Sequence, residues 1–284
     1  MLTLSPDQPS PLVLEASQER GFEFERSAPN LVKPLLLDVS VLGTETPLEL
    51  WHWPRNSELP PLLMIPGFGM QVMDYLPLIE SYLAQGMEVL AVNPRGQGDP
   101  PRIYGHIHHL QQLSHDLLQV SNLAYHHTGK RPILWLDHLA IVAGLEFALT
   151  YPKYLSGLVL VQRGPWPVLT AKKLNLSFLH ILADLIPHWP CPSFLLPKRF
   201  ACGLELQALK HQLKVSIRYV YEIAKQVPKL EHKMKSLSVP VLRLGNSPAD
   251  RNHVPDVESL ERDIQPLWAW LLAFHSGKAV DSAG

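Results

Sequence analysis

Short apolar runs, each of strand length and ending in Gly, Pro, Asn or another turn former, recur along the chain. They are Pro34–Leu42, Leu48–Trp53, Leu62–Ile65, Glu88–Val92, Ile133–Leu136, Leu158–Val161 and Val241–Leu244. From the third onward most are separated by stretches of helix length, which predicts alternating strands and helices. The helices are expected at Met73–Ala84, Ile107–Tyr125, Leu139–Tyr151 and Val257–Phe274. In the last, Leu260, Ile264, Leu267, Leu271 and Phe274 recur at three- and four-residue steps and share one face. Strands that are apolar on both faces, with helices between them, imply a mostly parallel sheet covered by helices on both faces. The first two strands have no helix between them and can pair antiparallel.

About seventy residues, Pro165–Ser238, separate the sixth strand from the seventh. They read as helices at Asn175–Ile186, Leu204–Gln226 and Lys229–Lys235, broken by the Pro-rich piece Pro187–Pro197. That is too long for an ordinary crossover. An inserted helical cap over the C-terminal strand ends, where open α/β sheets place their sites, accounts for it. The expected organisation is a Pro-rich N-terminal extension (1–30), a core (31–164 and 239–276), a cap (165–238) and a flexible tail (277–284).

Composition narrows the function. The 284 residues are 46% hydrophobic and 18% charged, with 25 Lys+Arg against 26 Asp+Glu. Such a chain can bury a large core, and with net charge −1 and no basic block it is a poor nucleic-acid partner. The 27 prolines, roughly twice average usage, stiffen many loops. Cys191 and Cys202 fit neither a disulfide framework nor a metal spacing and are expected as buried thiols. The first residues lack a basic leader, and no run of 18 or more apolar residues exists to span a membrane. A cytoplasmic protein without cofactor or metal is the expectation.

Several motifs, in order, resemble the α/β-hydrolase superfamily. Leu63-Met64-Ile65-Pro66-Gly67-Phe68-Gly69, followed by Asp74–Ile79, is similar to its third strand, oxyanion loop and first helix. Asn93-Pro94-Arg95-Gly96-Gln97-Gly98-Asp99 resembles its D-x-R-G-x-G-x-S turn, and Asp116 falls where the next helix usually carries an Asp. Tyr151-Pro152 and Leu155–Val161 resemble the end of the nucleophile helix and the sixth strand. Val239–Gly245 resembles the seventh strand, and Asn252–Glu258 the segment that carries the catalytic histidine. The resemblance covers Leu48–Phe274 and implies the fold.

It also implies site positions. The nucleophile elbow, G-x-S-x-G in the family, corresponds to Leu136-Asp137-His138-Leu139-Ala140. His138 takes the nucleophile position, and Leu136 stands where glycine is expected. Arg131–Leu155 contains neither Ser nor Cys. Asp137 is read as an N-cap of the following helix, with a carboxylate nucleophile as the catalytic alternative. Backbone N–H groups of Phe68 and Leu139 match the oxyanion donors. Asp250 and His253 match the acid and histidine, but they stand only three positions apart. From Leu244 to Val257 there is no room for a crossover helix and another strand, so the eighth strand is expected to be missing.

Among the other histidines, His106, His108, His109 and His115 sit around the start of a helix; the H-x-H-H run could hold a metal, but its simplest reading is a solvated helix face. His109 and Asp116, seven apart, could share a helix face. His126 and His127 precede Gly129 at a helix C-terminus. Gly67, Gly69, Trp166, Phe178, Leu182 and Phe194 are the residues expected around a pocket under the cap. Two functions follow. The first is a non-catalytic or strongly diverged homologue binding a small apolar or acyl ligand or a protein partner. The second is a hydrolase or lyase on an ester, thioester or related carbonyl, using His253 or His138/Asp137 over a backbone oxyanion hole. The apolar last helix, with Trp268, Trp270, Leu271 and Phe274, or the exposed sheet edge, could receive a partner or a second copy.

Overall fold

The strands form where the apolar runs end in turn formers. A computed structural model describes residues 34–39, 48–67, 70–95, 106–137, 139–161, 176–192, 215–244 and 264–275. Seven strands make one sheet: β1 (Leu35–Val39), β2 (Leu48–Trp53), β3 (Leu62–Ile65), β4 (Val89–Val92), β5 (Ile133–Asp137), β6 (Gly157–Val161) and β7 (Val241–Leu244). Their spatial order is β1-β2-β4-β3-β5-β6-β7. β1 pairs antiparallel with β2, and β2 with β4; every other pairing is parallel. Among the described residues β7 is the sheet edge and no eighth strand follows it.

The alternation of side chains along a strand divides the core in two. Leu63, Ile65, Leu90, Val92, Leu134, Leu136, Leu158 and Leu160 face one side. They pack against α2 (Leu110–Thr128) and α3 (Ala140–Thr150). Leu62, Met64, Val89, Ala91, Ile133, Trp135, Val159 and Val161 face the other. They meet α1 (Leu76–Ala84) and the last helix, Ile264–His275. Doubly buried strands with helices on both faces are what near-continuous apolar runs demand.

Boundaries shift at the helix starts. The helix expected from Met73 opens as a 3-10 turn, Val72–Tyr75, before α1. Pro77 in the first turn of α1 loses no helical hydrogen bond. α2 begins at Leu110 rather than Ile107. His109, in extended backbone, is its N-cap, and Gln112 reaches back to it in a capping box. His109 therefore precedes the helix instead of sharing a face with Asp116. Gly129, at φ 70°, closes α2 behind His126 and His127, as the helix-end reading required.

Of the 165–238 segment, α4 (Leu176–Leu185) and α5 (Ile217–Lys233) are described. The break expected after Gln226 does not occur: α5 runs through Pro228 to Lys233. Val220, Ile223, Ala224, Val227 and Leu230 are all buried at helical spacing across the proline. Burial on both sides of Pro228 outweighs the ~3 kcal/mol that an interior proline costs.

The last helix, α6 (Ile264–His275), lies against the far face through Leu267, Trp270 and Leu271. A Cβ on Gly157 of β6 would come within 2.8 Å of Trp270 Cη2, so the glycine admits the indole against the sheet. Trp270→Ala is expected to cost about 3–5 kcal/mol in urea unfolding. A loss below about 1 kcal/mol would show that α6 does not seal this face.

Candidate active site

The elbow is built by β5 and α3. Every residue of β5 is buried, and the strand ends at Asp137. The turn is completed at Leu139, and α3 starts at Ala140; His138 itself lies outside the described residues. Leu136, where the elbow consensus has glycine, is fully buried. Its space comes from Gly144 in α3. A Cβ on Gly144 would stand 2.1 Å from Leu136 Cδ1. The glycine on the helix thus admits the leucine on the strand. The sequence signal was an isolated glycine inside an apolar helical run.

Asp137 is not the helix cap expected from its residue type. The N-cap of α3 is Leu139, with no side-chain cap. Asp137 ends the strand, pointing its carboxylate at α1's side of the sheet. Its Oδ2 accepts the Tyr75 hydroxyl at 2.5 Å, with both residues almost fully buried. The same Tyr75 oxygen accepts the Gly67 N–H at 3.2 Å. Gly67 approaches so closely that a Cβ there would lie 3.3 Å from Asp137 Oδ2. One phenol thus ties the loop after β3 to the elbow. The Tyr75 ring is held edge-on against Trp135, with centroids 5.6 Å apart. Asn93 steadies the preceding turn by accepting the Val72 N–H at 2.8 Å. Tyr75 stood inside a recognised motif, but residue type alone did not single it out.

A narrow, partly open cleft lies on the α2/α3 face of the sheet. Leu48, Ile65, Val92, Leu113, Leu117 and Val120 make its apolar wall, with Leu139, Ala140 and Ala143 from the elbow side. α5 contributes Tyr219. The polar part is Arg95 and Asp116, joined by two hydrogen bonds and both buried. Burial pushes the Asp116 carboxyl above its ordinary range, against the pull of the guanidinium. Phe178, expected at the pocket, is 47% exposed on α4 instead. Neither it nor Leu182 nor Gly67 lines the cleft, whereas Leu139 does. Phe68, Gly69, Trp166, Phe194, Asp250 and His253 lie outside the described residues.

Residues 60–251 match the family described as serine aminopeptidase, S33. The chain belongs to this S33 family of α/β-hydrolases. No curated protein matches its sequence. A soluble variant of monoglyceride lipase from Saccharomyces cerevisiae, bound to a substrate analog, shares the fold. It has TM-score 0.63 and 14% identity, over 90% of this chain and 98% of the other. The monoacylglycerol lipase of Paleococcus ferrophilus aligns with TM-score 0.59 and 16% identity, over 80% and 99% of the two chains. Epoxide hydrolase A from Mycobacterium thermoresistibile aligns with TM-score 0.53 and 15% identity, over 88% and 100%. At these identities the likeness shows the fold alone.

Burial pushes the Cys191 thiol up to about 12, so no thiolate forms there near neutral pH. His106 and His108 are met by His188 from the turn after α4, but among the described residues no three side chains are disposed to hold a metal. No described helix is long and apolar enough to cross a membrane.

Two outcomes test the elbow. Gly144→Val should destabilise by about 1–3 kcal/mol or more through overpacking. Adding Leu136→Ala should recover most of that loss; no recovery would mean that the two side chains do not share this space. Tyr75→Phe removes a hydrogen bond to a buried carboxylate and should cost about 1.5–3 kcal/mol in urea melts. An unchanged midpoint would show that the phenol does not join loop and elbow.

Proposed function

We propose that this S33-family protein binds a small apolar or acyl ligand in the cleft beside the elbow and does not hydrolyse it. One observation carries the reading: the elbow offers Asp137 and His138, with neither Ser nor Cys anywhere in Arg131–Leu155. An acyl-transfer nucleophile needs a free lone pair beside a base. The Asp137 carboxylate is instead buried and bound by Tyr75. The cleft supports the ligand class. Its wall is largely aliphatic, and its one ion pair is internally neutralised, which leaves no net charge to select an ionic ligand. Residues 165–238 act in this reading as a cap. α5 reaches the first turn of α2, where Glu222 Oε2 accepts the Leu110 N–H at 3.4 Å, and it presents Tyr219 to the cleft.

A second reading, hydrolysis of an ester or thioester by His138 or His253, has one observation in its favour. Gly144 accommodates Leu136, so the elbow's packing is preserved rather than lost. The backbone donors of Phe68 and Leu139 would then hold the oxyanion. Turnover separates the two. Purified protein should give no hydrolysis of short or medium acyl esters and thioesters above the uncatalysed rate. It should also take no label from a serine-directed fluorophosphonate. It should bind an environment-sensitive fatty-acyl probe, and Ala143→Trp, which fills the cleft, should weaken that binding at least about tenfold. Turnover lost in either His138→Ala or His253→Ala would overturn the binding-only reading. Acyl-probe binding unchanged by Ala143→Trp would place the ligand elsewhere.

A further inference from the structure

Three separate segments meet at a group of imidazoles. His106 and His108 come from the approach to α2. His188 comes from the turn between α4 and Cys191. Ser216 caps the start of α5. The ring centroids of His106 and His188 are 4.0 Å apart, those of His106 and His108 5.1 Å, and those of His108 and His188 6.4 Å. His106 Nδ1 lies 3.3 Å from Ser216 Oγ, and its Nε2 is buried without a hydrogen-bond partner.

The backbone around these rings is stitched together. Ile217 N–H donates to the Trp189 carbonyl at 2.9 Å, and Cys191 N–H to the Val215 carbonyl at 2.7 Å. Arg218 Nε donates to the His108 carbonyl at 2.9 Å. The joint therefore holds the α4–α5 unit to the start of α2, one turn from Tyr219 in the cleft wall.

Its charges are one-sided. The described acids nearby are already engaged: Asp184 pairs with Arg218 at 2.8 Å, and Glu222 with Arg218 at 3.5 Å and Lys225 at 3.9 Å. His180 lies 3.4 Å from Asp184, and His109 lies 3.9 Å from Glu222. None of His106, His108 and His188 forms an ion pair among the described residues. A proton on His106 places a cation against the imidazoles of His108 and His188 and near the Arg218 guanidinium.

We infer that the His106–His108–His188 cluster is an acid-sensitive latch: it holds the α4–α5 unit closed over the start of α2 while His106 is neutral and loosens it when His106 takes a proton against its two neighbouring rings. The inference does not depend on what the cleft binds or whether it is hydrolysed. Burial first, and then His188, His108 and Arg218, pull the His106 imidazole down from 6.5 to about 4. The closed joint thus favours the neutral ring. Its stabilisation is complete above pH 6.5, where the released ring is neutral too, and is lost progressively as pH falls from 6.5 towards 4.

Hydrogen–deuterium exchange on the ligand-free full chain tests this, read as protection factors so that intrinsic exchange rates cancel. Between pH 7.5 and pH 5, amides of residues 187–191 and 216–219 should lose protection while those of β3 and β5 keep theirs. A shift of this size in one ring caps the loss at about 30-fold at pH 5, and solvent screening brings the expected loss to about tenfold. His188→Gln and His106→Asn, which cannot be protonated, should each hold their protection better than wild type at pH 5. Should either fail to fold, His108→Gln at the exposed ring serves as the second arm. Equal protection at the two pH values in wild type would overturn the latch. So would an undiminished acid loss in folded variants of all three positions.

Discussion

A hydroxyl shared between a buried carboxylate and a backbone N–H organises this molecule's site. Tyr75 donates to Asp137 and accepts from Gly67, all within the closed end of the sheet. A carboxylate almost without solvent needs such a donor, because an unmatched charge there would cost several kcal/mol. The bond joins two segments 62 residues apart. It sets the loop after β3 at a fixed distance from the strand end at Asp137. The hydroxyl needs a fixed base, and the edge-on Trp135 ring supplies one wall of it.

The elbow's steric problem is solved by pairing a large residue with a small one. Leu136 and Gly144 face each other across the strand–helix contact, the large side chain on the strand and the glycine on the helix. Cores tolerate such arrangements when total volume is conserved. The S33-family fold is therefore closely packed where β5 meets α3, in a stretch, Arg131–Leu155, that contains neither Ser nor Cys.

The cleft and the histidine joint lie on the same side of the sheet and share α5. Tyr219 faces the cleft, while Ser216, three residues earlier, meets His106. Glu222, one turn further on, is 1% exposed in its side chain and accepts from the first N–H of α2. A single helix thus meets an apolar wall, a cluster of imidazoles and a helix N-terminus.

The strands were legible in the sequence because their runs are short, apolar and punctuated: β2, β3 and β7 fall on the expected residues, and the parallel order followed from the helices between them. The family resemblance rested on loops whose backbone demands particular residues, as at Gly67 and the Asn93-Pro94-Arg95 turn. Local signals failed where distant atoms decided. Asp137 is a good cap by type, yet Tyr75 outbids the helix terminus for its carboxylate. Pro228 is a helix breaker by type, yet burial on both sides carries α5 through it. Leu136 looked too large for its turn, because the space it needs belongs to a glycine eight residues on, visible only once strand and helix are packed. His188 had no stated role until folding set it 4.0 Å from His106, since no spacing rule links residues 82 apart. Sequence determined which segments are buried and in what order they pair. Tertiary packing decided what each polar side chain meets, because a hydrogen bond or an excluded volume depends on atoms that the chain brings together only when folded.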